Sequence, residues 1–88
     1  MNINYLTECT TKTGTVRVGQ HYYDNRDDNI RTLRVDRIVD TSYTRKVECT
    51  VIRQQYRGQL TEPMRITAMT PERLTSRVFV LVQERPAE

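Results

Sequence analysis

The amino-acid sequence predicts an all-β protein: a single small domain folded as a five-stranded, partly open barrel. Apolar and polar residues alternate with a period of two in four or five short segments, and clusters of turn-forming residues separate those segments. The third observation is length, since 88 residues support one modest core and no second domain. With 36% hydrophobic and 28% charged residues, the composition is that of a globular chain in water.

The elements follow in order. Residues 1–15 gather Thr7, Thr10, Thr11, Thr13 and Thr15 around few apolar anchors (Ile3, Tyr5 and Leu6), which reads as a flexible leader or a weak edge strand. The domain proper is predicted over residues 16–83, with a frayed tail at 84–88. Val16, Val18, Tyr22 and Tyr23 outline a first strand bent at Gly19. The run Asp24-Asn25-Arg26-Asp27-Asp28-Asn29 favours turns and predicts a long first loop. Leu33-Arg34-Val35-Asp36 alternates as a half-buried strand should, and Ile38 and Val39 break its period, which calls for a bulge near Arg37. A turn at Asp40-Thr41-Ser42 leads to a third strand whose Val47, Cys49 and Val51 share the core side. Residues 54–62 predict a hairpin connection longer than two residues. Met64, Ile66 and Ala68 mark a fourth strand, Thr70-Pro71-Glu72-Arg73-Leu74 a short 3₁₀ turn, and Val78 to Val82 a last strand that is apolar on both faces. Strand, long loop, three strands, helical turn and strand is the succession of an SH3-like barrel, and partial closure removes most of the edges an open meander would leave.

The net charge is +3, from 14 basic and 11 acidic residues, and the excess lies in the second half of the chain. Such a balance fits a modest basic patch for nucleic acid or an acidic protein, or a mixed solvated surface. Cys9 and Cys49, the two cysteines, form no metal-binding spacing and are expected as free thiols. No run approaches the roughly 20 apolar residues of a membrane span, and the first residues lack the pattern of a secretory signal, so cytoplasmic residence and no membrane partner are expected.

Catalytic signatures are sparse. His21 is the single histidine and has no orienting partner in its sequence neighbourhood, so a structural or surface role is favoured over catalysis. Asp24, Asp27 and Asp28 cluster without the glycine and terminal glutamate of a calcium loop and read as a solvated turn. With three glycines there is no phosphate-cradling loop. A non-enzymatic chain without metal, cofactor or small-molecule substrate is expected.

Binding has more candidates. Arg34, Arg45, Lys46, Arg53, Tyr56, Arg57 and Arg65 place guanidinium groups and an aromatic ring on neighbouring strands and a hairpin, a combination that neutralises phosphates and stacks on bases. Asp36, Glu48 and Glu62 lie close enough to pair with the same arginines. The competing candidate is a protein interface, on a host protein or a second copy, through Tyr22, Tyr43, Phe79 and Leu81. Finally, Val16-Arg17-Val18-Gly19-Gln20 with Tyr22 and Asp24, Arg31-Thr32-Leu33-Arg34-Val35, Arg65-Ile66, Glu72-Arg73-Leu74 and Leu81-Val82 occur in an order and spacing that resembles a family of small uncharacterised proteins of actinobacteria and their phages. The resemblance spans about residues 16–82, implies a similar small β fold and carries over no functional residue.

Overall fold

Two long antiparallel strands, β5 (Asn29–Thr41) and β6 (Arg45–Tyr56), form the spine of the computed structural model, which describes residues 3–24, 26 and 28–82. Leu33, Val35, Val47, Cys49 and Val51, all essentially inaccessible to solvent, line one face of this hairpin, as their alternation predicts. The remaining strands of the main sheet attach to its two outer edges. β1 (Ile3–Leu6) and β4 (His21–Asp24) lie end to end along β5, and β9 (Phe79–Leu81) pairs with β4. Along β6 lie β7 (Gln59–Thr61) and β8 (Arg65–Met69).

A second layer covers the apolar face. The hairpin of β2 (Glu8–Thr11) and β3 (Gly14–Arg17) turns Cys9 and Val16 inward, and the single helical turn α1 (Pro71–Leu74) adds Leu74. Together with Tyr22, Ile38, Met69 and Phe79 these residues complete the core. The Thr-rich segment therefore becomes two strands, and its hydroxyls hold the layer in place: Thr11 and Thr13 both hydrogen-bond to Thr75 Oγ1 at the end of α1, while Thr11 Oγ1 also accepts from the Gly14 amide.

Two bulges set the register. One extra residue on β5, Asp36, brings Ile38 back to the core side, within one residue of the expected position at Arg37. The other lies on β6 at Ile52, so Arg53 pairs with Thr32 and faces away from the side that Val51 occupies. Gly19, at φ +96°, joins β3 to β4, and its amide donates to the Val35 carbonyl at 2.8 Å.

The all-β class holds, with differences from the five-stranded expectation. Nine strands occur among the described residues, and no pairing joins β8 to β9, so the sheet stays open. The first predicted strand divides at Gly19 into β3 and β4 because the chain passes there from one layer to the other. The run read as the first loop falls between the end of β4 at Asp24 and the start of β5 at Asn29. The connection after β6 is a two-residue turn, Arg57 and Gly58, both with positive φ as a type I′ hairpin requires. The turn before the last strand is α-helical, since the Leu74 amide bonds to Thr70 O and the Thr75 amide to Pro71 O, each four residues back. The expected tail at 84–88, Asn25 and Asp27 lie outside the described residues.

Asp24 is fully buried where β4 ends, and its Oδ2 receives Arg31 at 2.9 Å and Arg26 at 3.4 Å. Removing a partner from a buried carboxylate leaves a charge uncompensated, whereas an exposed pair contributes little. Arg31→Ala is therefore expected to lower unfolding free energy by about 3 kcal/mol or more, against less than about 1 kcal/mol for Arg17→Ala, whose partner Glu8 is exposed. Leu33→Ala is expected to cost about 2–5 kcal/mol. Urea unfolding of the three variants measures all of these.

Candidate binding face

Residues paired across an antiparallel sheet share a face, so the register identifies what the uncovered side of the sheet presents. Val80, Tyr23, Thr32 and Arg53 form one row across β9, β4, β5 and β6. The neighbouring row runs His21, Arg34, Thr50, Ile66 across β4, β5, β6 and β8. A third joins Ile30, Gln55 and Leu60. Between these rows, Arg34, Ile52, Arg53, Leu60, Thr61, Glu62 and Met64 border an open groove of about 620 Å³. Arg53 owes its place there to the bulge at Ile52.

Ion pairing sorts the charges. Arg34 Nε lies 2.8 Å from Asp36 Oδ1, Arg45 Nε lies 3.3 Å from Asp40 Oδ1, and Arg37 pairs with Glu48. Burial works to raise the Asp36 pKa. Hydrogen bonds from Thr50 and Arg34, with the Arg34 charge, outweigh it and hold the carboxyl below its ordinary value. Among the described residues, Lys12, Lys46, Arg53, Arg57, Arg65, Arg73 and Arg77 belong to no ion pair, whereas the acids left outside such pairs are Asp28, Glu62 and Glu72. Among the described residues, the charges outside ion pairs are thus mostly cations.

The seven residues expected to bind nucleic acid do not form one cluster. Arg34 and Arg53 meet at the groove. Tyr56 and Arg57 stand at its hairpin end, with the guanidinium 5.4 Å from the ring centroid. Arg65 is exposed on β8, opposite Val51, on the edge beyond the groove. Lys46 lies on the same uncovered face but at the other end of the hairpin, opposite Val39. Arg45 points to the covered side, where Nη1 approaches Cys9 Sγ at 3.8 Å, and it borders a second, shallow depression with Lys12 and the Thr10–Thr13 turn. At about 3.4 Å per residue, roughly 40 Å of strand separates Arg45 from Arg57. No compact ligand touches both.

Two of the four expected interface residues are withdrawn from solvent. Tyr22 is 3% exposed because its strand position faces Leu33, and its hydroxyl donates to Gln20 Oε1 at 3.0 Å. Phe79, 6% exposed, fills the core opposite Asp24. Neither can meet a partner without unfolding. Tyr43, at the tip of the β5–β6 turn, and Leu81 remain exposed. Sequence reasoning overlooked Ile52, Leu60 and Met64 at the groove, because nothing local marked them.

His21 faces outward beside Arg34, and no side-chain hydrogen bond to it occurs among the described residues. Groups of three or more potential metal ligands are absent among the described residues, and no helix there is long and apolar enough to cross a membrane. No family model matches the chain, nor does any curated protein or solved structure.

Both cysteines are free and buried. Burial, with the nearby Asp36 charge, pushes the Cys49 thiol up to about 12. The unfolded chain ionises this thiol at its ordinary value near 9, so its contribution to stability is complete below that pH and is lost as pH rises toward about 12. Asp36 works in the opposite range: its contribution is present above the ordinary carboxylate pKa and is lost as pH falls through its depressed folded value. Denaturant midpoints across pH are expected to fall at both ends, with Cys49→Ala flattening the alkaline limb and Asp36→Asn the acid one.

Proposed function

We propose that the chain is a non-enzymatic binding module that holds single-stranded nucleic acid along the uncovered face of its sheet. The observation that carries this reading is Arg53: outside any ion pair among the described residues, it stands at the groove in the same row as Tyr23. Cations neutralise phosphates and aromatic rings stack on bases, and an extended strand is the ligand whose length suits groups spread along a hairpin. The phosphate backbone follows Lys46 and Arg53 toward the Tyr56–Arg57 stack, and bases lie on Tyr23 and the apolar floor of the groove. The same reading takes β4, β5, β6, β8, α1 and β9 as an SH3-like barrel left open, with β1, β2, β3 and β7 as additions. It suits cytoplasmic residence, in a bacterial host if the likeness to phage proteins extends to origin.

A second reading, a protein-interaction module, draws on Ile30, Leu60, Met64 and Ile66, exposed apolar side chains at the same end of the sheet. This surface replaces the last strand as the anchor, because β9 buries Phe79.

Retardation of a labelled single strand at low salt is the expected result. Replacing Arg53 and Arg57 together by Ala is expected to make the slope of log affinity against log salt shallower by about 1.4, or about 0.7 per phosphate contact. The matched control, Arg73→Ala with Arg77→Ala, removes equal charge outside the groove and is expected to leave more of the binding. Unchanged mobility with both DNA and RNA at micromolar protein counts against the nucleic-acid reading, and capture of a host protein that survives nuclease favours the second.

A further inference from the structure

We infer that the outer edge of β8 pairs antiparallel with β8 of a second copy, so that two sheets join into one. The inference is independent of the proposed nucleic-acid function.

β8 is the longest strand that has a neighbour on one side only: five residues, paired with β6, with no strand opposite its other edge among the described residues. The other one-sided strands have three or four residues. Backbone groups of alternate residues on β8 point away from β6 and form a template for another strand. Natural edges are commonly protected by charge, proline or brevity. Here Ile66, Thr67, Ala68 and Met69 carry no charge and no proline, and Ile66 is 72% exposed, the most exposed large apolar side chain after Tyr43 at the β5–β6 turn. At Thr70 the chain turns toward α1, which packs against β2 and β6, so the helix leaves the edge clear.

The strand is complementary to itself. With Thr67 on the two-fold axis, Ile66 of each copy lies opposite Ala68 of the other, large against small, and Arg65 lies opposite Met69. Like charges do not face each other, because the two Arg65 side chains stand about 14 Å apart along the pair, beyond the about 8 Å Debye length at physiological ionic strength. Ile66 and Ala68 occupy the uncovered face, as their partners Thr50 and Glu48 do, so the joined sheets present one continuous surface. Such an interface is isologous and closes at two copies.

Sedimentation of the full chain across the micromolar range tests this. The wild type is expected at twice the 10.4 kDa chain mass, and Ile66→Lys with Ala68→Lys, which sets lysines directly opposite each other twice, at the single mass with an unchanged circular dichroism spectrum. Ile66→Glu with Ala68→Lys, which sets opposite charges across the same pairs, is expected to restore the doubled mass. In the wild type, hydrogen exchange along residues 65–69 slows as concentration rises, a readout that needs no variant. A wild type of single mass, larger species, a folded Lys/Lys variant that still dimerises, or exchange at β8 indifferent to concentration overturns the inference.

Discussion

The antiparallel ladder between β5 and β6 is the interaction on which the rest of this molecule depends. Every other strand of the main sheet attaches to one of its two outer edges, directly or, for β9, through β4. One side of the ladder must also stay dry, and because strand side chains alternate with a period of two, a slip of one residue would turn Leu33, Val35, Val47, Cys49 and Val51 to water. The dry side thus imposes the register. The two bulges are its local consequences: Asp36 lets Ile38 rejoin the core, and Ile52 frees Arg53 from it.

The same dry face governs the charges. A carboxylate buried at its end, Asp24, is retained with Arg31 and Arg26 against its Oδ2, while its Oδ1 has no hydrogen-bond partner among the described residues. An unsatisfied buried acceptor is costly, so the two arginines at Oδ2 carry the compensation that is shown. Over the solvated face, Asp36 and Glu48 pair with Arg34 and Arg37 of β5, and Asp40 does the same with Arg45 at the hairpin end. Such exposed pairs add little stability. Their larger effect is to decide which cations stay available, and those include Arg53 and Arg57 and exclude Arg45.

How much was legible in the sequence depended on range. Val47, Cys49 and Val51 alternate without interruption, and their core side could be read directly. The Thr-rich segment could not be read in this way, because its order comes from Thr75, more than sixty residues away, whose hydroxyl meets Thr11 and Thr13. Alone, five threonines with few apolar neighbours resemble a loose leader; against α1 they become the fastening of a second layer. Tyr22 and Phe79 misled for a related reason. Tyr22 stands in a mixed segment and Phe79 in one that is apolar throughout, and only the pairing of β4 with β5 and β9 shows that both belong to the interior.

By itself the sequence determined the all-β class, the inward side of β6, the need for a bulge near Arg37 and the helical turn capped by Thr70, because each follows from side-chain alternation or hydrogen bonding between residues close in the chain. Tertiary structure alone decided that the sheet stays open, that a hairpin and one helical turn roof the core, and that Arg53 rather than Arg45 faces the groove. These outcomes depend on which strands find each other across long separations and on where one extra residue is absorbed, and neither is written in any local pattern.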